Sequence, residues 1–207
     1  MLTAIVAFAA VAALVTITPG LDTVLVLRTT VSSGRRAGLL AGLGVNLGCL
    51  TWATASAVGL TALLAASRFA FDALRIAGAC YLCWLGARAL WTARRAAAES
   101  ADGPAETMSS AAAALRQGLV TNLLNPKVGL FYMSLLPQFI PDGAPILRTS
   151  LLFALIHNLE GMLWFTIIIF AAGAARSALA RPDIKRRLQQ LTGIAFIGFG
   201  LRLAIGD

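Results

Sequence analysis

Charge is scarce in this sequence. Asp, Glu, Lys and Arg together make up 13% of its 207 residues, about half the share of a soluble domain. Histidine occurs once, which excludes a His-rich metal site and implies no metal cofactor. Cysteine occurs three times, as Cys49, Cys80 and Cys83, each inside an apolar run. Cys80 and Cys83 form a C-x-x-C, a spacing compatible with redox or metal chemistry; small packing residues on one helix face account for it more simply. The N-terminus lacks the positive segment of a signal peptide, and its apolar run continues past Pro19. Met1–Val15 is therefore read as part of a retained first membrane helix.

What fills the sequence is apolar: 58% hydrophobic residues and a mean hydropathy of +0.81. This is the composition of a polytopic membrane protein. The net charge of +8 does not indicate a nucleic-acid partner. The arginines fall in short segments between apolar stretches, where membrane topology explains them, and no basic-aromatic patch occurs.

A bilayer core takes about 20 mostly apolar residues to cross. Six stretches qualify, at roughly 2–27, 37–66, 73–91, 116–140, 149–175 and 187–205. Backbone polar groups in lipid must be satisfied within the chain, so these spans are helices and the fold is an all-α membrane protein of six transmembrane helices. The only long polar linker, from Arg94 to Ser110, carries Glu99, Asp102, Gly103, Pro104 and Glu106. It divides the chain into a three-helix unit at 1–91, a linker at 92–115 and a second unit at 116–207.

The two units resemble each other. Asn46-Leu47 precedes Trp52 in the second span, and Asn158-Leu159 precedes Trp164 at the same spacing in the fifth. The third span holds Gly78, Tyr81, Trp84, Gly86 and Arg88; the sixth holds Gly193, Phe196, Phe199, Gly200 and Arg202. The first and fourth are both interrupted by proline. A repeat of three helices is odd, so the second copy enters from the opposite side. This gives a 3+3 inverted repeat with interrupted helices 1 and 4, a plan shared by many transporters.

Lys and Arg set the orientation. The connections 1–2, 3–4 and 5–6 carry Arg28, Arg35, Arg36, Arg88, Arg94, Arg95, Arg116, Arg176, Arg181, Lys185, Arg186 and Arg187. The other side carries Arg68, Arg75, Arg148 and Arg202. The positive-inside rule makes the first side cytoplasmic and places both termini outside.

The interruptions are Thr18-Pro19-Gly20-Leu21-Asp22 and Asn122-Leu123-Leu124-Asn125-Pro126-Lys127. Thr or Asn directly before Pro has the form of an N-cap and first helical residue. Each break thus reads as the start of a half-helix, whose unpaired N–H groups favour an anion. Gly20 lets backbone approach a ligand closely. Asp22 and Lys127 place opposite charges beside the breaks, where a charge costs about 2.5–3.5 kcal/mol on insertion scales. A zwitterionic amino acid needs an anion for its ammonium and a cation or helix start for its carboxylate. Pro19, Gly20, Asp22, Asn125, Pro126 and Lys127 supply both. The competing reading is a structural Asp22–Lys127 ion pair that ties helix 1 to helix 4.

In the fifth span, His157 and Glu160 are three residues apart on adjacent parts of one face. A carboxyl at membrane depth is a candidate proton carrier, with His157 as its neighbour; a Glu held by a nearby Asn or Arg is the alternative. Asn46 and Asn158 either line the same cavity or join helices to one another.

These residues resemble a known family. Pro19-Gly20-x-Asp22 with a Val/Leu run to Arg28, then Gly34-Arg35-Arg36-Ala37-Gly38, is similar to the opening of the LysE-type amino-acid exporters, the lysine exporter and homoserine/threonine-resistance proteins. Gly118-Leu119-x-Thr121-Asn122-Leu123-Leu124-Asn125-Pro126-Lys127, followed by Phe131 and Leu136-Pro137-Gln138-Phe139, resembles the family's second hallmark. The similarity covers essentially the whole chain. It implies a non-enzymatic, secondary-active exporter of amino acids or close derivatives, driven by protons, in a bacterial inner membrane. A transporter of another small solute or cation in the same superfamily is the alternative. A homodimer suits so small a bundle. Leu21 departs from the family, which usually shows a second proline there.

Overall fold

The structure is a computed structural model. It describes residues 1–66, 110–172 and 181–205, together with 76, 79–80, 83–84, 86–88 and 90–91. The linker at 92–109 and the residues Arg68, Arg75, Gly78, Tyr81, Arg94, Arg95 and Arg176 lie outside the described residues, as do the side chains of Lys185, Phe199 and Arg202.

Helices make up the regular structure of the described residues. They are α1 (Leu2–Ile17), α2 (Leu21–Ala66), α3 (Ala111–Leu123), the short α4 (Pro126–Leu130), α5 (Ile146–Phe170) and α6 (Pro182–Ile205). Between α4 and α5 the chain makes a π-turn over Phe131–Leu135 and a 3-10 turn over Leu136–Phe139. Pro137 explains the change in winding, because its ring excludes the carbonyl four residues back and it has no N–H to donate. The Leu136 N–H reaches back five residues to the Phe131 carbonyl instead.

The long element α2 is two helical arms, 21–33 and 35–66, joined at Gly34 with φ +87°. Only glycine takes this backbone conformation without strain. The chain reverses there: a Cβ on Gly38 would collide with Thr30, although eight residues of straight helix span about 12 Å. The expected 1–2 connection at 28–36 is therefore helical up to residue 33, and the turn itself is Gly34 with Arg35 and Arg36 at its edge. Arg35 lies over the Phe170 ring, 5.1 Å from its centre.

Glycines let the helices meet backbone to backbone. A Cβ on Gly44 would collide with the Leu115 carbonyl, and one on Gly118 with the Ala41 carbonyl. This is the most extensive helix pair, α2 with α3. On the other side of the bundle Gly86 faces Gly193, where an added Cβ would lie 2.6 Å from its carbonyl oxygen. Gly200 faces Ala79 and Cys83. Cys83 thus packs a helix, and among the described residues no cluster of metal-ligating side chains occurs.

Phe8 centres the core. It stacks on Phe153 at 4.6 Å and meets Phe139 edge-on at 5.5 Å. On α5, Leu152, Leu155, Leu159, Leu163, Ile167 and Phe170 point outward along one stripe, and Leu159 is 72% exposed. The opposite face of α5 is buried and also mostly apolar. A helix apolar on both faces fits a lipid surround. Two helical stretches, Leu21–Gly59 and Ile146–Phe170, are long and apolar enough to cross a membrane. At α6, Arg181 donates to both oxygens of Asp183 and holds that carboxyl below its usual range.

Candidate functional site

The two proline breaks meet. Pro19 has no N–H, so the carbonyl of Val15, four residues back, loses its helical donor. Thr18 sits in extended geometry as the C-cap of α1, and its hydroxyl donates to the Leu14 carbonyl at 2.6 Å. α2 starts after Gly20, whose carbonyl accepts from the Val24 N–H.

The second break follows the expected form. Asn125 is the N-cap of α4, its side chain accepting the Lys127 N–H at 3.1 Å, with Pro126 as first helical residue. Pro126 likewise removes a donor from the Asn122 carbonyl. The indole Nε1 of Trp52 at 3.4 Å and the Asn125 N–H at 3.0 Å replace it.

Lys127 crosses from the second break to the first. Its ammonium donates to the Val15 carbonyl at 2.7 Å and the Thr18 carbonyl at 3.0 Å. It thereby caps the negative end of α1, where a cation is favoured. Asp22 stands in the first turn of α2, 9% exposed. Its Oδ2 accepts from the Asn122 amide at 2.9 Å, while its Oδ1 is buried without a hydrogen-bond partner in the protein. Asn125 also lies close enough to act on this carboxyl. Asp22 and Lys127 form no ion pair within 4 Å, so the structural-pair reading is not what this conformation contains.

Both charges line one cavity of about 40 Å³. Gly20, Asn46, Asn125 and His157 line it with them, and Val15, Val45, Val128 and Phe165 give it apolar walls. A water occupies roughly 10–15 Å³ of such space. The cavity has room for a few waters, and an amino acid fits only after it opens.

The remaining expected residues lie apart. Pro19 and Pro126 shape the breaks without lining the cavity. Asn158 turns toward Asn46: each amide donates to the other's backbone carbonyl, at 3.1 and 3.2 Å. The side chain of Glu160 does not reach the cavity, and its Oε2 is buried without a partner. His157 bonds the Tyr132 hydroxyl at 2.9 Å rather than Glu160.

Two residues were not singled out by sequence. Asn122, fully buried, orients Asp22; the rule that a polar residue at membrane depth needs a reason would have found it. Tyr132, also fully buried, is placed by the π-turn that Pro137 enforces.

A model of the LysE type translocator family matches residues 13–207. A threonine efflux protein of Escherichia coli is 30% identical over 194 residues, covering 90% of this chain and 90% of its own length. A leucine efflux protein of an Enterobacter species is 33% identical over 192 residues, 92% of this chain and 90% of its own. An uncharacterized membrane protein of Bacillus subtilis is 29% identical over 206 residues, 97% and 98% of the two chains. No solved structure matches the chain.

Proposed function

The chain belongs to the LysE type translocator family, a family of membrane transporters and not enzymes, and on that premise we propose that it exports amino acids or close derivatives across the bacterial inner membrane by a secondary-active, proton-coupled cycle. The efflux relatives support the substrate class. The observation that carries the reading is the Asp22 carboxylate, buried with Oδ1 unpartnered, in the same cavity as the Lys127 ammonium and not paired with it. Burying two opposite charges without letting them neutralise each other is costly. A zwitterion that binds both compensates that cost.

In this reading Asp22 takes the substrate ammonium, and the Asn125-Pro126-Lys127 helix start takes the carboxylate. Asn46 supports the cavity wall and Asn158 holds Asn46 in place. Glu160 carries the proton, with His157 beside the cavity as its link to the substrate. The architecture is a six-span 3+3 inverted repeat with both termini outside. Three observations support the repeat: the exchanged Asn46 and Asn158 bonds, the contacts of Gly86 with Gly193 and Gly200 with Ala79, and the side-chain donors that replace the helical ones at Val15 and Asn122 beside the two prolines. A homodimer is compatible with the exposed apolar stripe of α5.

The test is flux from proteoliposomes loaded with a panel of labelled amino acids, with and without a pH gradient. Export of at least one neutral, hydroxylated or basic amino acid is expected, accelerated by the gradient. Asp22→Asn and Lys127→Gln should each abolish it while the protein stays folded. Wild-type flux in both variants removes the proposed site.

A further inference from the structure

We infer that the carbonyls of Val15 and Thr18, together with Asp22 Oδ1, form a subsite for a primary ammonium group, which Lys127 fills in this closed conformation and yields to the substrate's ammonium when the cavity opens. This deepens the export reading and rests on it for the identity of the ligand, though not for the existence of the site.

The acceptors are a consequence of the first break. Pro19 withholds a donor from Val15, and Thr18, in extended geometry at the C-cap of α1, presents its carbonyl to the Lys127 ammonium. A primary ammonium offers three donors. Lys127 gives one to Val15 at 2.7 Å and one to Thr18 at 3.0 Å. The third acceptor nearby, Asp22 Oδ1, is more than nine-tenths buried, faces the same cavity and stays unpartnered, because the lysine stem holds its nitrogen outside ion-pair distance of the carboxylate. A free ammonium has no stem and can engage all three. Val15, Thr18, Asp22 and Lys127 all line the one cavity, and Gly20 lies against the Lys127 stem, 3.8 Å from Cδ and Nζ at the position of an added Cβ.

The exchange has a functional consequence. While Lys127 occupies the carbonyls, it is unavailable to a carboxylate and the cavity is too small for substrate. When the substrate ammonium replaces it, Lys127 is released to bind the carboxylate of the same molecule. Only a ligand with both groups completes the swap, which selects against simple amines and simple acids and prevents opening without cargo.

Thermal unfolding of the detergent-purified protein tests the subsite, with n-propylammonium as probe. In Lys127→Ala the probe should raise Tm saturably, by roughly 3–6 °C at ten times its Kd. Wild type should not respond, nor should Lys127→Met, whose side chain refills the space, and tetramethylammonium, which has no N–H, should have no effect on any of them. No rise in Lys127→Ala, or an equal rise in wild type or in Lys127→Met, overturns the inference. If Lys127→Ala is recovered folded only when n-propylammonium is present throughout purification, the inference stands; if the amine does not restore it, the inference falls. Flux by the wild type separates the two readings. Amino-acid export without an n-propylammonium response rejects the subsite alone, and a response without export of any amino acid rejects the export reading alone.

Discussion

Asn46 and Asn158 hold each other by an exchanged pair of hydrogen bonds, each side-chain amide donating to the other's main-chain carbonyl at 3.2 and 3.1 Å. The chemistry at the two ends is the same, and the residues occupy matching positions before Trp52 and Trp164. Such bonds between membrane helices average about 0.6 kcal/mol and reach about 1.7. Asn46→Ala and Asn158→Ala should each lower stability by about 0.5–1.5 kcal/mol, read as a fall in Tm in detergent. The double variant should lose close to the sum, because the two bonds use different groups. An unchanged Tm in both single variants would show that the exchange does not hold α2 to α5.

Glycine substitutions should separate close helix packing from open surface. Gly118→Ala places a methyl into the Ala41 backbone, and Gly44→Ala into that of Leu115. Backbone cannot step aside as a flexible side chain does, so each should cost about 1–3 kcal/mol or more. Gly59→Ala meets nothing within 4 Å and should be neutral or stabilising by about 0.5–1 kcal/mol. Equal yields of folded protein from all three would contradict this packing.

Asn122 positions Asp22 and touches no substrate in the proposed scheme. Removing its charge-assisted bond should weaken substrate binding by about 1.5–3 kcal/mol, roughly 10–100-fold in KM for export. Asn122→Ala should leave the maximal rate less affected than KM, and Asn122→Gln should not restore it, since Gly48 leaves no room for a longer side chain. A variant with unchanged KM would detach Asn122 from the site.

Glu160 and the Tyr132–His157 pair predict different phenotypes. Glu160→Gln should abolish the acceleration of export by a pH gradient while downhill exchange of substrate persists; an unaltered pH response would reject the coupling role. Tyr132→Phe leaves His157 Nδ1 without its partner at 2.9 Å. A buried group so orphaned costs about 1–3 kcal/mol, so this variant should lose stability whether or not coupling is affected.

The membrane class, the two breaks and the charges beside them were legible in the linear order of residues. Proline and glycine act on their immediate neighbours, and a charge in an apolar run is costly wherever the run folds. The missing donors at Val15 and Asn122 also follow from Pro19 and Pro126 by counting four residues back. Which groups replace those donors does not. Lys127 reaches across 112 residues of sequence to Val15, and Trp52 reaches 70 residues to Asn122.

The sequence by itself determined that this protein is a helical membrane protein with two interrupted helices and a charge beside each interruption, because hydropathy and backbone hydrogen bonding are local. The tertiary structure alone decided that Lys127 caps α1, that Asp22 accepts from Asn122, and that Asn46 and Asn158 bind each other. Those outcomes depend on how closely glycine-lined helices approach and on which orphaned carbonyl lies within the length of one side chain.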